Sequence, residues 1–251
     1  MRIANIPPPK MADILIDEKE TYHLVLADWI VEYNNYRDFY SERVARGDYV
    51  ILDSMTHERT EGTDVGVMIE AYRLLKPQEI VLPDLKLASW SANYELARTG
   101  AHAYREAGIK AKFMAVPHGD TFEQYLASSE QLSRIPGVDV LGIYEETDDQ
   151  FYSRFNVVAS LRKFNKTIHL LGKLEHMRDI LNAEMRRWCR GVDSGKLVCW
   201  GLQGDVVLST EPIPAYKGRP ENFEYLTEED VSQEKIAIIR ANIAHWRELV
   251  Q

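Results

Sequence analysis

Three aspartates stand where apolar runs of this 251-residue chain end or turn. Asp53 closes "YVILDS", Asp84 closes "EIVLPDL", and Asp193 lies with Ser194 in "GVDSGK", read as the turn just before a late strand. His118 and Gly119 close "KFMAVPHG", Tyr144 and Glu145 close "VDVLGIYE", and Lys173 closes "TIHLLGK". A single Asp after a strand is commonly an N-cap, because its carboxylate accepts orphan N–H groups of the next helix. Repetition at several strand ends argues for a shared site instead. Three carboxylates in one pocket could hold a hard cation, but such sites add further oxygen ligands, and no metal-type spacing such as HxH is present. They could equally work at an anomeric carbon, one as nucleophile and another as proton donor, through an oxocarbenium-like transition state. The third can accept hydrogen bonds from the N–H edge of a guanine-like base. His57 and Glu58 follow Asp53 closely enough to orient it or to touch a sugar.

The elements that must position these groups alternate along the chain. Strands are expected at 23–29, 49–54, 79–85, 112–119, 138–145, 167–173 and 196–202, with a further candidate at 205–210. Their nearly continuous apolar character suits parallel strands covered on both faces. Helical patterns lie between them, and Thr227-Glu228-Glu229-Asp230 caps a C-terminal helix over 227–250 that closes the fold or forms a subunit contact, as in a homodimer. About eight strand–helix repeats in one domain, 1–251, predict a (β/α)8 TIM-type barrel. A doubly wound sheet is the alternative, but the Gly-rich phosphate turn after its first strand is missing. Residues 1–20, with "IPPPK", read as an extended N-terminal arm.

No apolar run is long enough to span a membrane, and the N-terminus lacks a secretory apolar core. Two cysteines, Cys189 and Cys199, fit a reducing, cytoplasmic setting and cannot make a four-cysteine zinc site. A net charge of −9 argues against a broad nucleic-acid footprint. A local basic strip over 173–196 (Lys173, Arg178, Arg186, Arg187, Arg190, Lys196) is the place for phosphates. His169, within "TIHLLG", reads as a barrel residue with satisfied hydrogen bonds.

Taken in order, the short segments resemble the tRNA-guanine transglycosylases. "ILDS" is similar to the "TDSGGFQ" segment of that family, "VLPDL" to its base-recognising aspartate segment, and "AVPHGDTFEQYLASSEQL" to its "VQGG" segment and following helix. "VDVLGI" and "IHLLGKLEHMRDIL" resemble the paired "GI/GG" and "HLLGVG" segments, and "GVDSGK" the "DMFDC" or "DLFDS" nucleophile segment. The ordered set covers about residues 48–204.

The resemblance implies roles residue by residue. Asp193 would attack C1′ as nucleophile, Asp53 would be the general acid–base, and Asp84 would bind the N1/N2 edge of guanine or a 7-deazaguanine. His118 and Gly119 stand where the family has Gln-Gly at the base carbonyl, and Gly142 and Ile143 where it has Gly-Gly beside the base. Ser194, His57, Glu58 and Lys173 complete the substrate-binding set. There are departures too. Met55-Thr56-His57 replaces "GGF", and the zinc subdomain with its CxCxxC run is absent from the sequence. That departure resembles the compact phage and bacterial branch acting on DNA, so DNA is the preferred polymer and tRNA the alternative; a viral member would work in the host cytoplasm. The expected activity is exchange of guanine for a 7-deazaguanine, with no metal and no organic cofactor. Two rival readings are a metal-dependent hydrolase or isomerase of small sugars or phosphates, and a non-catalytic transglycosylase-like binding subunit.

Overall fold

The structure, a computed structural model, describes residues 1–56, 62–144, 153–172, 178–208 and 213–250. Within them, eight parallel strands form a nearly closed (β/α)8 barrel. They are β1 (Arg2–Asn5), β2 (Tyr22–Leu26), β3 (Tyr49–Asp53), β4 (Glu79–Val81), β5 (Lys112–Ala115), β6 (Val138–Ile143), β7 (Thr167–Leu170) and β8 (Cys189–Ser194). Each of β2 to β7 pairs with the next strand in sequence, and β1 pairs with β8. Arg2 of β1 lies over the Tyr22 ring of β2 at 4.1 Å, across the remaining seam.

Two strands differ from expectation. The N-terminal arm is β1 itself, followed by a single helical turn at Ala12–Leu15. The run 196–202 is a helix, Lys196–Gln203, and the last strand is the segment before it, so Asp193 and Ser194 end a strand instead of lying in a turn that precedes one. The cause is physical. A short run that is apolar throughout can be a buried strand or a buried helix, and periodicity cannot separate them. Leu197 to Leu202 are all buried, and Gly201 packs directly against Ile239 of the final helix. Strand β8, by contrast, carries Arg190, Gly191 and Asp193 and so lacks an apolar run. Of the further candidate at 205–210, residues 205–208 form no strand, and 209–210 lie outside the described residues.

The remaining strands stop earlier than expected, at Val81 and Ala115 for example, just before Pro83 and Pro117. Proline cannot donate to the ladder, so the chain leaves the sheet there and carries Asp84 and His118 into loops. Several following helices start at side-chain caps: Asp64 accepts from Gly66, Ser89 from Ala92 and Thr121 from Gln124.

The final helix, Gln233–Val250, begins six residues later than expected. The Thr227–Asp230 signal closes a separate 3₁₀ turn, with the Asp230 carboxylate accepting from the Thr227 N–H and hydroxyl. This helix covers the β1 side of the barrel. Arg247 bonds Asp17 and Glu20, Arg240 donates to the Ile14 carbonyl, and Asn242 holds the Val207 N–H at 2.8 Å. Both cysteines are buried. Among the described residues no helix is long and apolar enough to cross a membrane.

Candidate active site at the strand ends

A pocket of about 580 Å³ opens at the C-terminal ends of the strands, where barrel enzymes hold their reacting groups. Asp53, Asp84 and Asp193 all line it. The barrel geometry explains the convergence. Side chains alternate in and out along a strand, so the last inward positions of β3 and of β8 face the same space, which the loop after β4 enters at Asp84. Leu24, Leu26, Val81, Val116 and Leu171 form its apolar walls.

Asp53 accepts the Met55 N–H at 3.0 Å, closing a tight turn in which Met55 has φ 57°. That left-handed conformation is normally left to glycine, and Met55 stands where the resembled segment has its first glycine. Thr56, in place of the second, turns its hydroxyl onto Asp84 Oδ1 at 2.9 Å and lies 3.1 Å from Ser54. The other oxygen, Asp84 Oδ2, is 2.8 Å from His118 Nε2. Buried Asn93 fixes the loop beneath, accepting from the Leu85 N–H and donating to the Leu85 and Ala88 carbonyls. Asp84 therefore presents a carboxylate whose orientation is set from three elements.

Asp193 is held from the barrel interior. His169 Nε2 lies 2.9 Å from Asp193 Oδ1, and the Gly172 N–H donates to Oδ2 at 3.3 Å. Buried Arg154 keeps the Gly172 turn in place by donating to the carbonyls of Ile143, Leu171 and Gly172. Below His169, Tyr22 Oη is 2.8 Å from Nδ1 and accepts from Arg190 Nε at 2.9 Å. Arg190 forks onto Glu79 at 2.5 and 2.8 Å, and Tyr49 also donates to Glu79. Burial holds the imidazole of His169 below its ordinary pKa, against the pull of the Asp193 carboxylate. Burial likewise lifts the Tyr22 phenol, so it stays protonated.

Of the expected site residues, Asp53, Asp84, Asp193, His118 and Ser194 share the pocket. The Ser194 hydroxyl also accepts from the Lys196 N–H at the start of the next helix. Gly119, Gly142 and Ile143 do not line the pocket. A Cβ at Gly119 would come within 2.4 Å of the Tyr125 N, and one at Gly142 within 2.8 Å of Met114 Sδ, so packing accounts for both. Ile143 is fully buried, with its carbonyl bonded to Arg154 and Leu171. His57, Glu58, Lys173 and the strand-end Glu145 lie outside the described residues.

Sequence reasoning passed over Lys86, Tyr216 and Arg219, which line the pocket with Lys196 of the basic strip and Thr56 of the altered turn, and took His169 for a barrel residue only. Lys86 lies 5.8 Å from the Tyr144 ring centre, and Lys196 lies 4.9 Å from that of Tyr216. Thus cations and aromatic faces rim the opening together. No spacing signal marks Tyr216 or Arg219, because they arrive from the long connection after β8. Among the described residues the basic strip over 173–196 does not gather at the pocket; Lys173 and the side chain of Arg178 lie outside them. Arg190 points into the barrel, Arg186 donates to the Leu249 carbonyl at the opposite end, and Lys196 is the member of that set, among the described residues, that lines the pocket. Among the described residues no three His, Cys, Asp or Glu side chains cluster as a metal site would require.

Fold and site together define a (β/α)8 barrel with an aspartate-lined pocket at the C-terminal ends of its strands. Compared with models of protein families and with curated proteins, the sequence matches none.

Proposed function

We propose that this protein is a base-exchange transglycosylase that replaces guanine by a 7-deazaguanine in a nucleic acid, with DNA as the preferred polymer. One observation carries the reading: three aspartates from β3, the loop after β4 and β8 line a single pocket, in the chain order and strand-end positions that the resemblance implies. The glycine-like backbone at Met55, two residues after the acid–base candidate, supports it further.

In the first displacement, an Asp193 carboxylate oxygen bonds to C1′ while the C1′–N9 bond breaks, and the leaving base takes a proton from the Asp53 carboxyl. In the second, the Asp53 carboxylate removes the N9 proton of the incoming base. The nitrogen then attacks C1′ and releases Asp193. Asp84, braced by Thr56 and His118, accepts from the N1 and N2 hydrogens of the base. The pocket volume of about 580 Å³ accommodates a flipped nucleotide, and base extrusion is required for chemistry at C1′ within a duplex. Lys86, Lys196 and Arg219, beside Tyr144 and Tyr216, supply the charge and stacking surface that single strands use.

The test is exchange of radiolabelled guanine into DNA and tRNA in parallel, with Asp193→Asn as control. Label entering DNA with the wild type alone is the expected result. Label entering tRNA alone keeps the chemistry and reverses the polymer, and no label in either polymer overturns the reading.

A further inference from the structure

His169 sits at the end of a hydrogen-bond chain in which one arrangement of protons gives every hydrogen an acceptor. Arg190 has only donors, so its Nε–H must donate to Tyr22 Oη. The phenol hydrogen is then directed at His169 Nδ1, 2.8 Å away, which makes Nδ1 the acceptor. The single imidazole proton is left on Nε2, which faces Asp193 Oδ1 at 2.9 Å. A doubly protonated ring would require Tyr22 to accept from both sides and would place a cation in a fully buried position. The titratable and charged groups around the ring are Tyr22, Tyr49, Glu79, Arg190, Arg2 and Asp193. Gly191 makes the chain possible, since a Cβ there would lie 2.5 Å from the Tyr22 ring.

We propose that His169 is the positioning residue for the nucleophile: a neutral Nε2–H donor, its tautomer set by Tyr22 and Arg190, that holds the Asp193 carboxylate aimed at C1′. The proposal rests on the transglycosylase reading above. It goes further by giving a role to a residue that touches no substrate. A neutral donor orients the carboxylate without competing for its charge. When the second oxygen bonds to C1′, Oδ1 becomes the ester carbonyl and still accepts from Nε2–H. As the ester opens again, the returning negative charge meets a donor already in place. The depressed basicity of the buried imidazole agrees with this, because a charged ring would bind the carboxylate too tightly for attack.

The first measurement is independent of activity. Long-range ¹H–¹⁵N spectra of the full chain, labelled at histidine, identify tautomers directly, and the His169 signals are assigned by their loss in His169→Gln. The expected result is a neutral Nε2–H ring from pH 5.5 to 8; an Nδ1–H tautomer or an imidazolium at pH 7 overturns the proposal. The second measurement is kinetic. Tyr22→Phe removes only a hydroxyl and keeps the shape, so it serves if His169→Gln fails to fold. We expect kcat to fall about tenfold in Tyr22→Phe and about 100-fold in His169→Gln, with KM for the polymer unchanged. Unaltered kcat in both variants overturns the positioning role while exchange by the wild type leaves the transglycosylase reading standing. A correct tautomer in a wild type that exchanges nothing overturns that reading, and with it the role in attack.

Discussion

Replacing Arg190 by Met is the sharpest test of how the barrel supports its site. The guanidinium reaches Tyr22, Tyr49 and both oxygens of Glu79, a carboxylate with no solvent exposure. Methionine preserves most of the apolar stem but strands the Glu79 charge. Breaking a buried ion pair from one side costs about 3–5 kcal/mol, because the remaining charge has lost both water and its partner. Against a typical total of about 5–15 kcal/mol, that is a large fraction. At about 2–4 °C per kcal/mol for a chain of this size, the melting temperature should drop by on the order of 10 °C. Urea unfolding followed by circular dichroism would measure it for Arg190→Met, Glu79→Leu and the double variant. The double variant removes both charges, so it should be more stable than Arg190→Met, with a coupling of at least about 2 kcal/mol. Arg190→Met within about 1 kcal/mol of wild type, or strict additivity, would refute the reasoning. The same variant separates structure from binding: since Arg190 lies inside the barrel, its loss should leave the salt dependence of DNA binding unchanged.

Two other outcomes are expected. Burial lowers the pKa of His23 to about 4, although Asp48 at 3.4 Å works to raise it, with Arg43 nearby opposing. The unfolded chain therefore takes a proton near pH 6.5 that the folded chain refuses, and stability falls as pH drops from about 6.5 to 4, by at most ~3 kcal/mol. Urea midpoints between pH 7.5 and 4.5 should fall less steeply in His23→Gln, and an equal slope sinks the assignment. At the pocket rim, Lys196→Met and Arg219→Met should each weaken single-stranded DNA binding and reduce its log–log salt slope by about 1, as seen by fluorescence anisotropy. Unchanged slopes would remove these two cations from the polymer's path.

How far the site was legible in the sequence differs from strand to strand. Strands β3 and β5 announce themselves as apolar runs ending in Asp53 and, two residues past Ala115, at Pro117-His118. There the hydrophobic period and the functional residue occupy different positions, so both can be read. Thr56, Tyr216 and Arg219 leave no comparable mark, because their contribution depends on where a loop returns in space. The basic strip failed for the opposite reason. Residues 173–196 are neighbours in sequence, but within them β8 climbs from the base of the barrel to its pocket end, so Arg186 and Arg190 stand apart from Lys196.

Strand β8 shows why the misreading and the site coincide. A strand looks like a strand when its inward side chains are apolar, and here Arg190 and Asp193 take that role while Gly191 leaves room for Tyr22. The register shift that admits Arg190 between Cys189 and Gly191 further breaks the alternation. Each departure that hides the strand also builds the chain from Glu79 to Asp193. Local sequence rules yield first where a protein holds its reacting groups, because polar side chains must replace the packing that those rules detect. A strand whose signal is weakened in this way is therefore the one that carries the proposed nucleophile.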